Sequence, residues 1–138
     1  MSAPYEKLRA WELCHQLALT IRKATSSWPS ADRALIGQIR RASYSAASNI
    51  VEGYVKRGPR ELRRYLDISL GSLAEVEYGL RFAKDAEIID EAAWGSLDLL
   101  RKRAHGTTRL LYNAICSRIE TVESQKCRAP RSRLRESS

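Results

Sequence analysis

Apolar side chains recur every three or four positions along four long segments of this sequence, and no segment alternates apolar and polar residues as a strand does. This spacing places the apolar residues of each segment on one side of an α-helix. Glycine and proline are sparse. Helices of about twenty residues joined by short loops pack most simply as an antiparallel up-down-up-down bundle. The sequence therefore predicts an all-α, four-helix fold.

The expected helices span residues 5–26, 30–53, 59–86 and 90–119. Pro29 closes the first, while Ser30 or Asp32 can cap the second. Pro59 suits the first turn of the third. After Val122 the apolar periodicity stops, and residues 126–138 hold five basic residues against one glutamate. We therefore expect a bundle over residues 1–122 and a basic, disordered tail over 123–138.

The composition of the chain indicates which partners and which cellular compartment to expect. The chain has 138 residues and a formal net charge of +8, which suggests an anionic partner. Its cysteines, Cys14, Cys116 and Cys127, are odd in number and far apart, as expected for a reduced, cytoplasmic protein. No apolar run is long enough for a membrane span, so we expect no membrane partner.

The second and third helices each carry a second row of less polar residues outside the core stripe. A monomeric bundle buries one stripe per helix, so these rows predict contact with another copy of the chain. The alternative is that they are scattered surface residues, which are common. If Glu75 is buried there, Arg40 or Arg41 is its expected partner. The predicted interface residues are Tyr44, Ala47, Val51, Ile68, Gly71, Glu75, Tyr78 and Phe82.

The stretch QIRRASYSAASNIVEGY, residues 38–54, combines small residues with several polar ones. Its apolar positions fit the core face of the second helix, and its small side chains permit close packing. We interpret Arg40, Arg41, Asn49 and Glu52 as structural pairing and capping residues.

The connection between the second and third helices is strongly basic. Lys56, Arg57, Arg60, Arg63 and Arg64 lie within nine positions, with only Glu61 opposing them. Such a cluster attracts phosphates, and we predict that these five residues bind nucleic acid. The alternative is that they only keep the loop solvated. Tyr54 and Tyr65 flank the cluster, but Tyr65 falls near the core stripe and is expected to be structural.

No pattern indicates catalysis. His15 and His105 lie on different helices without metal-ligand spacing, and no glycine-rich phosphate loop is present. The serines of helix two have no positioned base. We therefore expect no enzyme activity, no metal and no cofactor.

Three motifs resemble a known family, the four-helix bundle proteins encoded in bacterial 23S rRNA intervening sequences. They are Gln-Ile-Arg-Arg-Ala at residues 38–42, Ser-Asn-Ile-Val-Glu-Gly at 48–53, and Leu-Gly-Ser-Leu-Ala-Glu at 70–75. The resemblance implies a homopentameric ring. A related branch, the accessory protein of diversity-generating retroelements, works with a reverse transcriptase and binds nucleic acid, which implies both as candidate partners here.

Together these observations predict a non-catalytic oligomeric bundle that binds structured RNA or DNA, with a reverse transcriptase as a candidate partner. The alternative is a homo-oligomeric scaffold, or protein-interaction module, with no nucleic-acid role.

Overall fold

The computed structural model describes residues 4–128, which form four α-helices joined by short connections. Short 3-10 helices at Pro4–Lys7 and Ser30–Asp32 precede the first two. Residues 4–128 contain no strand, so the all-α prediction is confirmed. The helices are α1 (Arg9–Thr25), α2 (Arg33–Val55), α3 (Pro59–Asp85) and α4 (Glu91–Arg128).

Each helix packs against the next along the chain, and α4 also packs against α1. Helices α2 and α3 are antiparallel, because Gly53 in the last turns of α2 faces Tyr65 near the start of α3. Helices α3 and α4 are antiparallel as well. Lys84 and Glu91 pair at one end of this couple, and Arg60 lies beside α4 at the other.

The core consists of the apolar stripes predicted from helical spacing. Each fully buried Leu or Ile side chain stabilises the fold by about 1.5–3 kcal/mol relative to exposure. On α4 the buried face includes Ala104, Thr108 and Ile115. The largest fully buried apolar side chains are Leu17, Ile21, Ile39, Ile50, Leu66, Leu73, Val76 and Leu80.

Two predicted boundaries are wrong. The first helix begins at Arg9 rather than at residue 5, because Leu8 takes an extended conformation after the 3-10 helix. The last helix continues to Arg128, so residues 123–128 are not part of a disordered tail. No glycine or proline interrupts residues 107–129, and Glu123 forms an ion pair with α3. The remainder of the predicted tail lies outside the described residues.

Among the described residues, no helix contains a stretch long and apolar enough to cross a membrane.

Candidate nucleic-acid interface

A three-residue connection, residues 56–58, joins α2 to α3. Lys56 is extended, and its backbone N–H donates to the Gly53 carbonyl at 3.3 Å. Gly58 has a φ of +90°, a conformation that side-chain-bearing residues rarely adopt, and Pro59 then begins α3. This tight turn places the basic residues before and after it at one end of the bundle.

We call Lys56, Arg57, Arg60, Arg63 and Arg64 the basic cap. All of them are exposed except Arg63, which is half-buried. The turn and the first two turns of α3 hold all five together, as the sequence predicted. A sixth cation joins them from α4, because Lys126 lines the same cavity of about 230 Å³ as Arg57 and Arg60.

Some of these charges are already paired. Arg60 forms an ion pair with Glu123 of α4. Arg64 donates to the Glu61 carboxylate at 3.3 Å, which raises the pKa of its guanidinium. Within residues 4–128, Lys56, Arg57, Arg63 and Lys126 have no carboxylate partner within 4.0 Å. These four charges are therefore available for phosphate.

The tyrosines beside the cap differ in availability. Tyr65 is half-buried, and its Cβ lies so close to Gly53 that a Cβ added there would approach it to 2.7 Å. The Arg64 guanidinium lies 4.6 Å from the centre of the Tyr65 ring, and the Lys56 ammonium lies 5.7 Å from it. Tyr54 is 41% exposed. The cap therefore offers phosphate contacts with one exposed ring, Tyr54, beside it, while Tyr65 is held by packing.

An apolar groove of about 590 Å³ runs between α2 and α3. Ala34, Leu35 and Gln38 contribute from α2. Four of the five interface residues predicted on α3 line the groove. The fifth, Ile68, lies one turn before Gly71 and is 41% exposed. Tyr78 is 70% exposed and Phe82 is 48% exposed, with ring centres 6.5 Å apart. The α3 residues that line the groove are Gly71, Ala74, Glu75, Tyr78, Gly79 and Phe82.

The interface residues predicted on α2 do not join this groove. Ala47 is buried in the core, only 8% exposed, so its prediction as an outward-facing residue is wrong. Ala47 lies seven positions after Arg40 and therefore on the same side of α2. That side faces α1, because Arg40 donates to Thr25 of α1. Tyr44 is 71% exposed and Val51 is half-buried, both on this α1 side of α2. The two predicted rows thus face in different directions.

The family profile of the 23S rRNA-intervening sequence protein matches residues 6–113, most of the chain. The chain belongs to that family. A solved structure from Bacteroides thetaiotaomicron, a protein of unknown function from the S23 ribosomal protein family, has a similar fold. Its TM-score is 0.71 at 18% sequence identity, over 75% of this chain and 95% of that one. The search of curated proteins gives no match.

In this 23S rRNA-intervening sequence protein, the predicted structural polar residues have separate roles. Arg40 donates to the Thr25 hydroxyl at 2.8 Å and to the Arg22 carbonyl at 3.2 Å, which ties α2 to the end of α1. The Asn49 amide donates to the Ser45 carbonyl at 2.8 Å.

Neither Arg41 nor Glu52 forms an ion pair within the described residues. The Arg41 side chain folds along Gly37 of its own helix, and Glu52 is exposed, so the pairing role predicted for both is wrong. The expected partnership of Glu75 with Arg40 or Arg41 is also absent there, because Glu75 is exposed and Arg40 contacts α1.

Two titratable side chains of α1, Cys14 and His15, are held by their surroundings. Burial raises the pKa of the Cys14 thiol to about 11, so it stays protonated near neutral pH. The His15 ring stacks on Trp11 with centres 4.8 Å apart. No three histidine, cysteine or carboxylate side chains in residues 4–128 are grouped as metal ligands.

Sequence reasoning missed two features of α4. Glu123 and Lys126 were assigned to a tail, although apolar residues at Ile115, Ile119 and Val122 continue the helical spacing toward them. It also missed the buried ion pair of Arg101 with Asp98, at 2.7 Å. Opposite charges three positions apart on the buried face of a helix were the available signal.

Proposed function

We propose that this 23S rRNA-intervening sequence protein is a non-catalytic, self-associating bundle that binds structured RNA or DNA through the basic cap. The observation that carries the proposal is the convergence of basic side chains at one end of the bundle. Lys56, Arg57 and Arg63 are without a carboxylate partner in residues 4–128, so phosphate contact costs no existing ion pair. Contacts from these cations to backbone phosphates carry no sequence information, so binding through them is independent of base sequence.

Self-association would support nucleic-acid binding, because each copy of the chain brings its own basic cap. The exposed rings of Tyr78 and Phe82 beside an apolar groove are typical of a protein interface. In a symmetric ring, each copy adds one basic cap, and phosphate contacts then add across copies. The family resemblance suggests five copies and a reverse transcriptase as partner. A reverse transcriptase gene beside the one encoding this chain would support that partnership.

A salt titration tests the nucleic-acid role. Labelled duplex DNA and a labelled RNA hairpin are titrated at two or more salt concentrations, followed by fluorescence anisotropy. Each phosphate contact contributes about −0.9 to the slope of log affinity against log salt on duplex DNA. Replacement of Arg57, Arg60, Arg63 and Arg64 by alanine should weaken binding by at least tenfold and flatten that slope.

The matched control replaces basic residues away from the cap, Arg22, Lys23, Arg33 and Arg103, which are also exposed. It removes the same charge. Equal loss of binding in both variants would show a net-charge effect and reject the cap as the site.

The second candidate function is a homo-oligomeric scaffold without a nucleic-acid role, and the apolar groove is the observation that favours it. Light scattering tests whether the groove is the surface through which copies of the chain associate. Tyr78→Arg should dissociate the assembly, whereas Leu110→Arg, at another position that is 70% exposed, should leave it intact. A protein that scatters as an oligomer but binds neither the duplex DNA nor the RNA hairpin would establish the scaffold function instead.

A further inference from the structure

A cleft separates the α2–α3 turn from the last turns of α4. Arg57 and Arg60 line it from the turn and from the start of α3, and Glu123 and Lys126 line it from α4. Its volume is about 230 Å³. No aromatic ring lines it, so a ligand held there is recognised by charge and not by base stacking.

The charges in this cleft are unequal. Glu123 is its sole carboxylate, and it pairs with Arg60 although both side chains are more than half exposed. Within residues 4–128, neither Arg57 nor Lys126 has an acidic partner. The cleft therefore holds two uncompensated cations and a third that is neutralised across two helices.

We propose that the last turns of α4 form one wall of the nucleic-acid site. Arg57 and Lys126 bind backbone phosphates in the cleft, and Glu123 weakens binding by holding Arg60 in an ion pair. This inference rests on the proposed nucleic-acid function. It adds two residues outside the basic cap, one that strengthens binding and one that limits it.

The first test concerns Lys126. In full-length protein, Lys126→Ala should lower the affinity for labelled duplex DNA about threefold to tenfold, and reduce the steepness of the salt slope by about 0.9. Lys23→Ala removes an equal charge from the last turn of α1, where Lys23 lines a surface cavity with Arg40 of the first half of α2, away from the α2–α3 turn. It should change neither quantity.

The second test concerns Glu123. Glu123→Gln should raise affinity severalfold and steepen the salt slope, because it releases Arg60 for phosphate. Glu120→Gln changes the net charge equally on the same helix but outside the cleft, and should give a smaller gain. Arg60→Ala should abolish the gain, so that the double variant Arg60→Ala with Glu123→Gln binds no more tightly than Arg60→Ala alone.

The outcomes distinguish a failure of this inference from a failure of the proposed nucleic-acid function. If the wild type binds neither duplex DNA nor an RNA hairpin, the proposed function fails and the inference falls with it. If Arg57→Ala weakens binding while Lys126→Ala and Glu123→Gln change nothing, the cap remains and the α4 wall is rejected. Circular dichroism melting of each variant confirms that the helices are retained.

Discussion

Helix α3 packs against its two neighbours in different ways. Against α2 the two backbones approach closely at Gly53 and Gly79, and a hydroxyl bond from Ser69 to the Ala46 carbonyl, at 2.6 Å, joins them. Against α4 the contact includes the buried Arg101, which bonds Asp98 on its own helix and lies 3.6 Å from Glu77 of α3. One interface depends on shape and the other contains buried charge.

The difference determines which changes each interface tolerates. Close backbone approach leaves no room for an added atom, but needs no partner beyond the facing side chain. A buried ion pair tolerates small shifts of position, yet the loss of one member leaves the other charge without compensation. The following variants probe this contrast, from the largest expected effect to the smallest.

Asp98→Ala should destabilise the protein most, by about 3 kcal/mol or more, because it leaves the buried Arg101 guanidinium with only the more distant Glu77. Urea denaturation measures the loss. Asp85→Ala breaks an exposed pair with Arg81 at 3.0 Å and should cost at most about 1 kcal/mol.

A combined Asp98→Ala and Arg101→Met variant should recover part of this loss, because it removes the uncompensated charge as well. If the combined variant is less stable than Asp98→Ala alone, the α3–α4 contact depends on guanidinium packing and not on charge pairing.

Gly53→Ala should destabilise the α2–α3 interface by about 1–3 kcal/mol, despite the better helix propensity of alanine. The new Cβ would lie 2.7 Å from the Tyr65 Cβ, which cannot move without its backbone. Gly71→Ala meets no atom within 4 Å and should stabilise the protein by about 0.5–1 kcal/mol. Melting curves of the two variants should therefore shift in opposite directions.

Ser69→Ala should cost about 1 kcal/mol, because it removes the buried hydroxyl bond between α3 and α2. Thr20→Ala is the control, since the Thr20 hydroxyl bonds a carbonyl of its own helix in an exposed position. Chemical denaturation that gives equal losses for the two variants would contradict an interhelical role for Ser69.

His105 should produce the smallest effect, visible as pH dependence. Burial lowers its pKa below the usual 6.5, and the positive charges of Arg101 and Arg109 lower it further, while Glu77 acts in the opposite direction. The unfolded chain therefore binds more protons, and stability should fall as pH drops from about 7 to 5.5. His105→Gln should reduce this dependence in urea midpoints measured across that range. An unchanged dependence would assign it to other groups.

Much of the fold follows from helical periodicity, because buried leucines and isoleucines such as Leu66 and Leu73 fall at its spacing. The basic cap was also readable, since five cations close in sequence remain close around a short turn. Ala47 was misplaced because the residues on the border of a helix's buried side depend on where its neighbours sit. The contact of Glu123 with Arg60 joins residues far apart in sequence, and no local pattern encodes it.

The short α2–α3 connection also affects the order in which the chain folds. Closing a three-residue turn costs little entropy, whereas the contact of Cys14 with Thr108 joins residues 94 positions apart. We therefore expect the α2–α3 hairpin to form in the folding transition state and α1 to dock later. Folding kinetics of Ser69→Ala, which removes a bond between α3 and α2, and of Cys14→Ala would test this, with a φ value near one at Ser69 and near zero at Cys14.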